Sequence, residues 1–175
     1  MKTSLRDRLR AETRAVHERL DRAMASGGLD SESGRAALLC DLASGYRAVL
    51  GLCYADGSRA REIAARPIVA LGEAPPHPVP SSRVIDEDAA AYVFVGAHLG
   101  MTVLTTRWER ATGAPPPAPL GMPSLAREWS ELRRRLDGLD GQGAAAERTV
   151  ADAIHLFEVF HAGVLRARSD AERAA

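Results

Sequence analysis

An all-α, single-domain helical bundle is what this sequence predicts, and three observations predict it. Ala, Leu, Arg and Glu are abundant while Val, Ile and Tyr are scarce, a balance that favours helices over strands. Apolar residues recur at spacings of three and four along most of the chain. With 175 residues, 46% apolar and 26% charged, the chain is long enough for one domain with a real core and short for two. The domain is placed at residues 1–170, with 171–175 as a frayed tail.

The elements follow in order. Ser4 followed by Asp7 starts the first helix, in which Leu5, Leu9, Val16, Leu20 and Met24 keep helical spacing until Gly27-Gly28 ends the pattern. A second helix runs from about Ser33 through Tyr46 and Leu50 to Tyr54 and is interrupted at Asp56-Gly57. A shorter third continues from there to Pro67 or Gly72. Glu73 to Ser82 carries four prolines and reads as an exposed connector. Asp86-Glu87-Asp88 then puts three carboxylates in the first turn of a long central helix, where the helix dipole favours them, and this helix extends to about Thr112. Gly113 to Pro119 is a second linker. Two more helices, Ser124 to Leu139 and Ala144 to Arg168, are separated by Gly138, Gly141 and Gly143.

Formal charge balances at zero, so no global basic field attracts nucleic acid or an anionic membrane. Cys40 and Cys53 lie within one helical region, too far apart to bridge, and read as buried thiols of a reducing cytoplasm. The amino-terminal stretch Met1 to Asp7 lacks the apolar core of a secretory signal, so a cytoplasmic location is expected. Ala89 to Leu104 falls short of the ~20 apolar residues that span a bilayer and reads as a buried helix.

Two features carry chemical interest. At about 100° per residue, Gly96 and Gly100 fall about 40° apart on one helix face, flanked by Val93 and Val103. Two glycines inside a helix cost roughly 0.8–1.0 kcal/mol each relative to alanine, so the face suggests a kink, close helix packing, or the close approach of something flat. The second feature is His17, on the border of the first helix. It stands in the pattern Leu9-Arg10-x-x-Thr13-x-x-x-His17.

That pattern resembles the surroundings of the proximal ligand in the biliverdin-forming haem oxygenases, particularly the short bacterial forms that accompany phytochromes. The likeness continues: Tyr46 with Leu50 is similar to the family's second helix, Tyr92-Val93 to Gly100 to its distal helix, Trp129-Ser130-Glu131-Leu132 to its Trp-containing helix, and Ala153 to Leu165 to its closing aromatic-rich helix. The resemblance implies an all-α bundle of about six or more helices holding haem b (iron protoporphyrin IX) between the first and central helices, with no second metal.

In that reading His17 ligates the iron, and Gly96 and Gly100 let the central helix cover the opposite, catalytic face. Tyr92, Val93, Ala97 and Phe157 lie against the ring, while Arg10, with Arg133 or Arg135, meets the propionates. The implied activity opens haem to biliverdin, carbon monoxide and ferrous iron, with dioxygen and electrons from a donor such as a ferredoxin or flavoprotein reductase. A bacteriophytochrome is the candidate acceptor of the product.

Phytochrome-associated members usually read Tyr-Val-Leu-Glu-Gly-Ser through the distal helix. Here Val95 replaces the carboxylate and Ala97 the hydroxyl, removing two polar groups that would hold a proton-delivering water. The alternative is therefore the same fold kept as a haem sensor, carrier or helical regulatory partner. His98 points about 180° from the midpoint of the two glycines and would reach a ligand only through a kink. Glu158-x-x-His161 has the spacing of a di-iron element, yet no second Glu-x-x-His occurs, so His161 reads as a core or pocket-edge histidine.

Overall fold

Six α-helices carry the chain in the computed structural model, which describes residues 3–25, 28–79 and 81–174, and no strand occurs among those residues. They are α1 (Leu5–Ala25), α2 (Glu32–Leu50), α3 (Arg59–Ala70), α4 (Glu87–Thr112), α5 (Ala126–Gly138) and α6 (Gly143–Ala174). The expected all-α class is what the chain adopts.

Local signals account for most boundaries. The Ser31 hydroxyl accepts from the amide of Gly34 and opens α2, and Gly113, in the left-handed conformation at φ 67°, closes α4. The three carboxylates at the start of α4 divide their work. Asp86 caps the helix by accepting from the Ala89 amide at 3.1 Å. Glu87 accepts from the Ser58 hydroxyl at 2.6 Å and the Ala60 amide at 2.9 Å, tying down the start of α3, and Asp88 pairs with Arg135 of α5.

Two boundaries differ from expectation, while the end of α3 falls between the two positions expected for it. α2 stops at Leu50 rather than Tyr54, because the chain turns at Gly51 and the buried Tyr54 ring then packs tilted to Phe94, its hydroxyl donating to the Val49 carbonyl at 2.8 Å. α3 passes through Pro67 to Ala70. α6 continues to Ala174, six residues past the expected end at Arg168; the tail's last residue, Ala175, lies outside the described residues, as does Gly27 of the expected Gly27-Gly28 stop.

The cysteines also depart from expectation. Cys40 is exposed and Cys53 half-buried, both as free thiols. The inward stripe of α2 is formed by Leu38, Leu42, Tyr46 and Val49, and Cys40 stands about 200° round from Leu38 on the outer face.

The centre of the bundle is α6 rather than α4: α6 packs against α1, α2 and α4. Its buried Ala146, Val150, Ala153, Leu156, Phe157, Phe160 and Val164 follow the helical period. Against α2 the approach is close enough to need glycine. A Cβ at Gly45 would fall 2.2 Å from the Phe160 ring, and one at Gly163 would fall 2.8 Å from the Ser44 carbonyl oxygen. α5 joins the sides by packing on both α1 and α4. α1 and α4 each lie against α6, yet they are not among the helix pairs in close contact. The space between them is the site.

α4 is long and apolar enough to cross a bilayer by length and composition. In this fold its buried residues Val93, Phe94, Val95 and Met101 belong to the core, and its exposed Leu99 and Val103 lie on the wall of the cavity described next.

Candidate functional site

Between α1 and α4, with α6 behind, lies a cavity of about 600 Å³, within the ordinary range of small-molecule sites. α1 contributes His17, Leu20, Asp21 and Met24; α2 contributes Leu38, Leu42 and Tyr46; α6 contributes Phe157 and Phe160. The α4 wall runs from Tyr92 through Gly96 and Gly100 to Arg107, and Trp129 of α5 closes one end. The lining is mostly apolar.

His17 stands on this wall with its side chain 54% exposed. Its ring meets Phe157 edge-on, with centroids 5.3 Å apart. Nδ1 lies 2.9 Å from Oδ2 of Asp21, one turn further along the same helix. In the tautomer this contact favours, Nδ1–H donates to the carboxylate and Nε2 keeps its lone pair, which is how a metal-binding imidazole is held in orientation.

On the α4 wall the two glycine positions are open, between lining side chains that include Val93, Ala97 and Val103. A Cβ at Gly100 would meet nothing within 4 Å, and one at Gly96 only the Trp129 ring at 3.6 Å. Neither glycine is needed for helix packing, so the close-packing explanation of the pair fails. The slot is open to a flat molecule.

Of the other site residues named from the sequence, Tyr92, Val93, Ala97 and Phe157 line the cavity with the two glycines. The three arginines do not. Arg10 is exposed on α1 two turns before His17, beyond the end of the lining; Arg133 is exposed on α5; and Arg135 pairs with Asp88. The cation on the wall is Arg107. Val95 is buried away from the lining, and Ala97 presents only a methyl group.

His98 does not line the cavity. It is 5% exposed, its Nδ1 lies 3.1 Å from the Phe94 carbonyl oxygen, and its Nε2 has no partner. Burial, opposed by that contact, lowers its pKa from the ordinary value. α4 therefore presents it to the core, as its helical angle requires. His161 is half-buried and also off the lining. Among the described residues no group of three or more His, Cys, Asp or Glu side chains could hold a metal ion, so Glu158 and His161 belong to no such cluster, and Glu158 lies 3.8 Å from Arg19.

Three groups escaped sequence reasoning: Arg107, Asp21 and, as a polar wall, Tyr46. Asp21 was signalled by its position four after His17. Tyr46 is 1% exposed, meets Phe160 edge-on at 5.2 Å, and is kept a neutral phenol by burial, which raises its pKa. The apolar slot, the oriented imidazole and the cation together fit haem. No family model, curated protein or solved structure matches this chain.

Proposed function

We propose that this protein binds haem in the slot between α1 and α4 and opens it oxidatively to biliverdin. One observation carries the reading: His17, with Nδ1 held by Asp21, lines the same apolar cavity of about 600 Å³ as Gly96 and Gly100 of α4, which put no side chain into it. Haem, when bound, supplies the redox chemistry, in which dioxygen and electrons from a separate donor release one bridging carbon as carbon monoxide and leave biliverdin and ferrous iron.

The chain's own residues bind, orient and exclude water. His17 Nε2 is the iron ligand, Asp21 fixes the ring's tautomer, and Phe157 fixes its plane. Gly96 and Gly100 keep the other face thin enough for α4 to cover it, while Leu42, Phe160 and Met101 keep the space dry. The Tyr46 hydroxyl, kept neutral by burial, is a hydrogen-bond donor on the α2 side of the cavity, whereas Ala97 on the α4 side supplies none and Val95 does not reach the lining.

The missing polar groups at Val95 and Ala97 favour a second reading, a haem sensor or carrier that performs no turnover. Haemin titration tests both. A Soret band that saturates at one haem per chain and is lost in His17→Ala supports the site, and Asp21→Ala weakens it by about tenfold, as loss of such an orienting group does. No band refutes haem binding. Reductant and oxygen then separate the readings, since biliverdin absorption marks the oxygenase and an unchanged haem spectrum the sensor.

A further inference from the structure

Haem b carries two carboxylates on one edge, and a slot that seats it in one orientation needs a cation at one end. Arg107 is the only Lys or Arg on the cavity wall among the described residues, and no carboxylate pairs with it there. Its place on α4 is specific. Taking Gly96 as 0°, Gly100 falls at about 40° and Arg107 at about 20°, so the arginine lies on the bisector of the two glycines. Its Cα stands about 10 Å beyond that of Gly100 along the helix axis. On this face the two open glycine positions are followed by Val103, at about −20°, and then by the guanidinium of Arg107.

The opposite end offers no such group. There the wall is made of Tyr92 and Trp129, whose rings lie 6.1 Å apart. Arg10 is on the His17 side of α1 but two turns past the lining, and Arg135 is engaged with Asp88.

We infer that Arg107 anchors the carboxylate edge of the bound tetrapyrrole, fixing its in-plane orientation with the propionates toward the C-terminal half of α4. This rests on the haem reading. It departs from the placement at Arg10, Arg133 or Arg135 that the sequence pattern implies. The guanidinium fork suits a carboxylate, and its attraction is screened by salt because the side chain is exposed.

The test is optical titration of the intact protein with haemin and with haemin dimethyl ester, whose propionates are uncharged. Arg107→Ala is expected to weaken haemin about tenfold, Arg107→Lys less, and added salt to shrink the difference. The ester is expected to bind wild type and Arg107→Ala alike, which also shows that the variant is folded. A His17-dependent Soret band indifferent to Arg107 overturns the anchor and leaves the haem reading standing, as does a loss seen at Arg10→Ala instead. Absence of any band in the wild type overturns both.

Discussion

His98 and His17 are two imidazoles on opposite sides of the same structural question, and burial sorts them. His17 is open to a ligand; His98 is enclosed, with Arg66 and Glu128 as the charged groups that act on it from α3 and α5. Burial is the largest influence on His98, and it lowers the folded-state pKa below the unfolded value of about 6.5. Below that pH the unfolded chain takes up a proton that the native protein refuses, so stability falls as pH drops from about 6.5 toward the lowered value and is fully retained above. Urea midpoints measured from pH 7.5 down to 5.5 should therefore decline, and His98→Leu should flatten the decline. An identical slope in the variant would remove His98 from the account. Its inward direction was legible from helical angle, as was the place of Val93 beside the glycines, whereas Tyr92 and Ala97 were named through the family resemblance. Asp21 and Arg107 were equally available to the same arithmetic, one turn from His17 and on the glycine bisector. They were obscured because a chain with many arginines offers no local reason to prefer one of them, and only the gap between α1 and α4 selects it.

At the scale of the element, α4 gives up stability for an open surface. Gly100 has nothing within 4 Å of where a Cβ would stand, so Gly100→Ala should gain roughly 0.8–1.0 kcal/mol from helix propensity, read as a higher urea midpoint. Gly100→Leu should also fold, because its side chain enters the slot rather than the core, yet it should lower haemin affinity at least tenfold. Wild-type affinity in that variant would mean that the bare strip is not a ligand surface. Gly45 and Gly163 behave oppositely, since a Cβ at either would fall within 3 Å of the neighbouring helix, displacing the Phe160 ring at Gly45 and pressing on the α2 backbone at Gly163. Sequence periodicity shows all four glycines as small residues in helices and cannot tell the two kinds apart; the difference is what the partner helix does. The same ignorance of tertiary packing moved the end of α2. Apolar Leu52 and Tyr54 continue a helical pattern, but a turned chain rather than another turn of helix half-buries the first and buries the second.

Across the whole molecule, the site depends on how α1 is held, because α4 does not hold it. α1 rests on α6 and α5, and its last turn is fixed by Arg168, which donates to the Ala23 carbonyl oxygen at 2.6 Å while pairing at 2.5 Å with the buried Asp41 of α2. One guanidinium thus joins α1, α2 and α6 beside the part of α1 that supplies Met24 and Ala25 to the cavity. Arg168→Ala strips the 3% exposed Asp41 carboxylate of this partner. Breaking a fully buried pair costs about 3–5 kcal/mol, and because the Arg168 side chain is 28% exposed the expected loss is smaller, about 2–3 kcal/mol. On the proposed haem reading haemin binds the folded chain alone, and at 100 times its dissociation constant it should then return about 2.7 kcal/mol, a gain of the same size as that deficit. Thermal melts of the variant with and without haemin measure both quantities. If the variant melts lower but haemin restores nothing while still binding the wild type, the end of α1 belongs to the ligand site itself, and loosening it has abolished binding rather than merely stability.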